Sequence, residues 1–265
     1  MSNNIDFYKN MLIDNGVIAF RGANLSHEEH IKFHNIFGKQ LGSYEEKNQN
    51  GYTENHSRAY NKENIRPPGD EIMLAWHIEH PHYKNPIVLA TWNMHKFKTS
   101  NENGKTYFVD NKSLYQQMPD SFKEFSKKCI TTNLMVEEQG KSGKHELIQN
   151  HWITEEPVIR LSHVYKILDL ETETAESNNF EKLYKFEGRD PIKDEYEYYF
   201  EIMKWIENQL YNNLDIRIVH KWQQGDLVVS DMYRMCHAVT GGFESEDREF
   251  TGIWGRKNKH EEDDV

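Results

Sequence analysis

The sequence predicts a mainly β chain with flanking helices, its strands folded into a double-stranded β-helix, or jelly roll, core. Three observations carry that expectation. Short runs rich in Val, Ile, Thr and aromatic residues recur along the chain, separated by Gly, Pro and Asn turn signals, which is how the strands of a two-sheet fold read. Helical periodicity is confined to a few segments, the longest of them over residues 192–214. The 265 residues contain no internal repeat or low-complexity tract, and β folds of that length commonly form one domain. One domain over residues 1–265 is therefore expected.

In order, residues 6–14 read as a short helix and 16–21 as a strand. Residues 26–37 form a helix opened by Ser26 with Glu29 three positions on, the capping-box spacing, and Phe33, Ile36 and Phe37 supply an apolar face. The stretch 44–70 is rich in Asn, Glu, Lys and Gly and closes on Pro67-Pro68-Gly69, so it reads as a long polar loop. Loops of that length inside a compact domain are usually functional, and Arg58 and Arg66 within it are candidates to meet a substrate carboxylate. Strands follow at 71–79 and 87–92, the second a nearly continuous apolar run that suggests burial on both faces. A turn at 101–105 precedes a strand at Thr106, and 114–128 is helical with a break at Pro119-Asp120. Residues 140–143 form a turn, 157–160 and 165–170 strands, and 171–177 a polar connector. In the 192–214 helix, Tyr199, Met203, Ile206 and Leu210 fall on one stripe. Strands at 217–222, 226–231 and 248–254 complete the set.

The formal net charge of −11 disfavours a protein that grips nucleic acid, because phosphate binding needs clustered Lys and Arg. A small-molecule substrate is expected instead. No apolar run is long enough to span a bilayer, and the first residues lack the basic region and apolar core of a secretory signal. Only Cys129 and Cys236 occur, too few for a disulfide framework, so the expected setting is the cytoplasm, without a membrane partner.

The segment Trp76-His77-Ile78-Glu79 carries the strongest chemical signal. Successive side chains of a strand point to opposite faces, so His77 and Glu79, two apart, project the same way and can bind adjacent corners of one ion. A third ligand from a distant strand, for which His237 is the candidate, completes a 2-His-1-carboxylate face. That donor set, with its remaining positions open, suits Fe(II) better than zinc and points to a mononuclear iron oxygenase. His80 faces away from Glu79, and Pro81 ends the strand before His82, so neither shares the ion easily, although His82 is a candidate to line the pocket.

Several motifs resemble the Fe(II)- and 2-oxoglutarate-dependent dioxygenases of the TauD/TfdA family over nearly the whole chain. They are Gly16-Val17-Ile18-Ala19-Phe20-Arg21-Gly22 with Phe37-Gly38 downstream; Thr106-Tyr107-Phe108-Val109-Asp110 with Met118-Pro119; and Trp222-Gln223-Gln224-Gly225-Asp226-Leu227 before Asp231 and His237, with Arg248 eleven residues on. The resemblance implies Fe(II) on His77, Glu79 and His237, with 2-oxoglutarate and dioxygen as co-substrates. It also implies that Arg248 forks onto the distal carboxylate of 2-oxoglutarate, that Thr106 donates a hydroxyl to it, and that an unactivated C–H bond is hydroxylated. Desaturation, ring formation or oxidative cleavage use the same cofactors, and a non-catalytic jelly-roll binding protein is the rival from another class.

Three departures bear on the substrate. Most of the family has Asp where this chain has Glu79, a feature of a branch similar to clavaminate synthase, which favours a free amino acid or similar zwitterion. Gly252 stands where the sulfonate-oxidising branch has a second arginine, so it is expected to leave space and taurine is a poor guess. Ser230-Asp231-Met232 replaces the family's Trp-Asp-Asn, leaving Asp231 as a possible partner of a ligand histidine. Arg256, eight residues beyond Arg248 on the same strand face, lies too far along a straight strand to meet substrate beside the iron.

Overall fold

The computed structural model describes residues 4–45, 72–79, 85–100, 102–132, 144–161, 163–164, 184–190 and 192–257. The expected turn at 140–143, strand at 165–170 and connector at 171–177 lie outside them. In chain order the elements are α1 (Ile5–Asn15), β1 (Val17–Phe20), α2 (His27–Leu41), β2 (Tyr44–Glu45), β3 (Ile72–His77), β4 (Ile87–Phe97), β5 (Thr106–Asp110), α3 (Asn111–Gln117), α4 (Asp120–Ser126) and β6 (Cys129–Thr132). There follow β7 (Lys144–Glu146), β8 (Ile148–Asn150), β9 (Pro157–Ile159), β10 (His163–Val164), β11 (Tyr184–Phe186), α5 (Lys193–Asn212), β12 (Ile218–His220), β13 (Leu227–Asp231), β14 (Met235–Thr240) and β15 (Arg248–Arg256).

Two five-stranded sheets form the jelly roll, in the orders β1-β13-β4-β15-β2 and β10-β3-β14-β5-β12, with every pairing antiparallel. Period-two alternation gives each sheet an inner and an outer face. Trp92, Met94, Val228, Phe108 and Met235 pack between the sheets. On the outer face of the first sheet, Leu89 and Val229 meet Leu12 of α1 and Phe37 and Leu41 of α2. On the outer face of the second, Tyr107, Val109, Cys236 and Ala238 are covered by α3 and by the Tyr199, Ile202, Met203, Ile206 and Leu210 stripe of α5. The expected α5 stripe is thus the buried one, and Cys236 faces away from His237 as alternation requires.

The α2 start is built as its sequence requires: Ser26 Oγ accepts from the Glu29 N–H at 3.3 Å, and Glu29 Oε2 accepts from the Ser26 N–H at 2.8 Å. Its buried face differs from the expected one, because Ile36 is exposed and His30, His34, Phe37 and Leu41 point inward. The break within the third helical segment falls at Met118-Pro119, dividing α3 from α4. Six short strands, β2, β6, β7, β8, β10 and β11, are absent from the expected set, β2 falling at the start of the expected 44–70 loop; β14 puts His237 on a strand as expected, with bounds the sequence leaves open. Among the described residues no helix is long and apolar enough to cross a membrane.

Candidate metal centre

Strand β14 lies at the middle of the second sheet, between β3 and β5. The register places His237 directly opposite His77 on one side and Phe108 on the other. Cross-strand neighbours that face each other put both imidazoles on the inner face with their ring centroids 4.1 Å apart. Glu79 is not on the strand with His77, as the i, i+2 argument requires; β3 ends at His77 and Glu79 stands in a bend two residues later. The outcome for the ligand face is the same. Glu79 Oε1 lies 3.5 Å from His77 Nε2 and 3.8 Å from His237 Nε2. One ligand atom from each of the three residues falls within 4.8 Å of the others, the histidines buried and Glu79 half-buried. Neighbouring corners of an octahedron with bonds of about 2.1 Å are about 3 Å apart, so three atoms that converge and close further could hold one ion.

Beside the triad, the Trp92 ring of the facing sheet lies 5.6 Å from the His237 ring and the Phe108 ring 6.1 Å away. Thr106 is two residues along β5 from Phe108 and so points to the same inner face. Its Oγ accepts a hydrogen bond from Trp222 Nε1 at 2.9 Å. From the other sheet, Arg248 brings its guanidinium carbon to 5.6 Å from the Trp222 ring centroid, 5.3 Å from Phe243 and 5.1 Å from Phe250. Thr106 and Arg248 therefore meet through Trp222. The aromatic rings hold the arginine by cation–π contact and keep its fork near the inter-sheet space. Its position suits an acid with a second carboxylate.

The model of the taurine catabolism dioxygenase TauD, TfdA family matches residues 3–254. The chain belongs to that family. Its enzymes use Fe(II), 2-oxoglutarate and dioxygen, which makes this chain a 2-oxoglutarate-dependent dioxygenase. No curated protein matches the sequence. Solved structures share the fold at low identity. AAD-2 in complex with Mn(II) and N-oxalylglycine superposes with a TM-score of 0.65 at 15% identity, covering 100% of this chain and 90% of that one. A taurine dioxygenase from Burkholderia xenovorans gives 0.62 at 14% identity, covering 97% and 83%.

Within this TauD/TfdA-family chain the Gly-Asp-Leu motif proves to be scaffolding for Trp222. Gly225 has φ +86°, and a Cβ there would fall on the Asn24 side chain. The buried Asp226 carboxylate accepts from the Gln223 N–H at 2.8 Å and from the Arg21 guanidinium, and His220 Nε2 lies 3.2 Å from it. His220 in turn stands edge-on to the Trp222 ring at 4.4 Å. Burial, with Arg21 and Arg248 nearby, lowers the His220 pKa to about 3, so it is neutral at pH 7.

Two expectations need correction, those for Asp231 and Gly252, while Arg256 lies away from the site as expected. Asp231 does not serve a ligand histidine: it lies on the outer run of β13, where its carboxylate takes His151 Nε2 at 2.8 Å and the Tyr233 N–H at 3.1 Å. Gly252 does not leave open space, since a Cβ there would stand 2.9 Å from Trp254 Cη2 and 3.1 Å from Trp92 Cδ1; two indoles fill it. Arg256, at the far end of β15 from Arg248, donates Nη1 to the Asn85 carbonyl at 2.8 Å. His82, Arg58, Arg66 and the rest of the 44–70 segment beyond β2 lie outside the described residues. Trp222 and Phe243 carry no chemical signal of their own in the sequence, and the one sign for Trp222 is its place three residues before Gly225.

Proposed function

We propose that the chain, acting as one domain in the cytoplasm, hydroxylates an unactivated C–H bond of a small polar metabolite, a free amino acid or similar zwitterion. His77, Glu79 and His237 are assigned to Fe(II), and Thr106 and Arg248 to the distal carboxylate of 2-oxoglutarate. The observation that carries this reading is the convergence of two imidazole nitrogens and one carboxylate oxygen within 4.8 Å on the inner face of the jelly roll. Two neutral nitrogens and one anionic oxygen match a divalent ion that must keep positions open for co-substrate and gas. AAD-2, solved with Mn(II) and N-oxalylglycine, an isostere of 2-oxoglutarate, supports the same pairing of metal and 2-oxo diacid on this fold.

Bound Fe(II) supplies the redox chemistry that couples decarboxylation of 2-oxoglutarate to succinate with transfer of one oxygen atom to the substrate. The protein supplies position. The β3–β14 register sets both imidazoles side by side, and Glu79 offsets one of the two positive charges from its place in the bend. Arg248 and Thr106 set how the diacid enters, by charge-assisted and neutral hydrogen bonds to the end remote from the metal. Trp92 and Phe108 wall the triad and exclude water on their side, which strengthens the polar contacts within. The absence of an arginine at position 252, where two tryptophans close the wall, supports a substrate other than a sulfonate. Two cysteines buried as thiols suit a reducing compartment.

The test has two stages. Anaerobic Fe(II) with 2-oxoglutarate should give the weak visible charge-transfer band of a chelated 2-oxo acid, and His77→Ala, Glu79→Ala and His237→Ala should each abolish it. A metabolite-library screen for succinate formation then identifies the substrate, and product mass separates hydroxylation from desaturation or cleavage. Band and turnover retained in His237→Ala would overturn the metal assignment; stimulation by neutral lipophiles alone, or robust turnover of taurine, would overturn the substrate class.

A further inference from the structure

We infer that Trp222 is the positioning residue of the 2-oxoglutarate anchor: it sets the direction of the Thr106 hydroxyl proton and supplies one face of the Arg248 cradle. The inference rests on the assignment of Thr106 and Arg248 made above. Trp222 is buried, at 2% exposure, in the inter-sheet cluster. An indole N–H only donates, so the 2.9 Å bond from Trp222 Nε1 makes Thr106 Oγ the acceptor and turns the hydroxyl proton out of that bond. The same ring lies beneath the Arg248 guanidinium, with its carbon 5.6 Å from the ring centroid. One side chain thus touches both groups that would hold a single carboxylate.

Its own placement is set from behind. His220 meets the indole edge-on at 4.4 Å and an interplanar angle of 85°, and the Asp226 carboxylate lies 3.2 Å from His220 Nε2. Asp226 also caps its own turn through the Gln223 N–H. The Trp-x-x-Gly-Asp spacing therefore has a mechanical meaning. Gly225 allows the tight turn, Asp226 locks it, and Trp222 is delivered at a fixed angle to β5 and β15.

Magnitudes separate the two contributions. A hydroxyl has three staggered positions, so excluding one is worth only about 1.5-fold in affinity, and polarisation of the hydroxyl by the indole donor supplies the larger part. Trp222→Phe, which keeps an aromatic face under Arg248 but deletes the N–H, should weaken 2-oxoglutarate binding roughly three- to tenfold. Trp222→Leu, which also deletes the ring, should lose about threefold more.

The experiment is calorimetric titration of the Mn(II)-loaded protein with 2-oxoglutarate and with 2-oxopentanoate, which has the same carbon count but no distal carboxylate. Trp222→Phe should weaken 2-oxoglutarate alone, and Trp222→Phe added to Thr106→Val should weaken it no further than Thr106→Val does. Equal losses for both acids mark a merely structural role and overturn the inference; so does an unchanged affinity for 2-oxoglutarate. A wild-type protein that binds the two acids equally would instead overturn the anchor assignment itself. Should Trp222→Phe fail to fold, the Zn(II)-loaded wild type labelled with ¹⁵N-tryptophan decides. One of its six indole N–H signals must shift with 2-oxoglutarate and stay in place with 2-oxopentanoate. If no indole signal distinguishes the two acids, the inference falls.

Discussion

Lowering the pH from 7.5 to 5 should destabilise the protein, because the fold keeps two histidines under α2 neutral while the unfolded chain protonates them. His30 is fully buried, with Nε2 2.8 Å from Thr91 Oγ and Nδ1 2.9 Å from Thr251 Oγ. His34, 1% exposed, shares Thr91 through Nδ1 at 2.9 Å, and His95 Nε2 meets Thr251 at 3.0 Å. Burial first, then the neighbouring His34, His95 and His27, lowers the His30 pKa to about 3; burial takes His34 to about 3 as well. Between the ordinary histidine value of about 6.5 and that value the unfolded chain binds more protons than the native one, so stability is fully present above about pH 6.5 and falls as the pH drops. The slope is about 1.4 kcal/mol per pH unit for each histidine. At pH 5 this amounts to about 2 kcal/mol each and about 4 kcal/mol for the pair, a large share of an ordinary domain's 5–15 kcal/mol. Urea unfolding across pH 5–7.5 measures it. His34→Leu removes one of the two groups while leaving Thr91 its bond to His30, so its stability should fall less steeply with acid, by about one proton. Identical slopes in the variant and the wild type below pH 6.5 would refute the reasoning.

Two further outcomes follow from the site. Arg248→Ala should raise the concentration of 2-oxoglutarate needed by about ten- to a hundredfold, the worth of a charge-assisted contact, while metal binding measured by Mn(II) titration persists. An unchanged requirement would move the anchor elsewhere. Gly252→Ala puts a Cβ 2.9 Å from Trp254 and 3.1 Å from Trp92, and should destabilise the protein by about 1–3 kcal/mol in denaturant unfolding. It should also disturb the triad, because Trp92 is a direct neighbour of His237; a silent variant would show that the two indoles move aside freely.

Features set by local periodicity and capping are legible in the sequence. The Ser26–Glu29 box, the α5 stripe and the buried start of β4 are each written within a few residues. The proposal of His237 as third ligand is also legible, since a histidine after the Gly-Asp-Leu run with Arg248 eleven residues on matches the family's order. Other features depended on partners far along the chain. Strand β14 is six residues long with five of them buried, a pattern that does not alternate in hydrophobicity, and only pairing with β3 and β5 makes it the central strand that carries His237. Glu79 faces the two imidazoles from a bend rather than from a strand, because the strand pairings of β3 stop at His77. Asp231 found His151 rather than a ligand histidine, and the room at Gly252 went to Trp92 and Trp254, because a side chain's neighbours across two packed sheets are set by register rather than by chain distance. The cradle that joins Thr106 to Arg248 has the same origin. Its members come from both sheets, and only the packing of one sheet on the other places Trp222 between them.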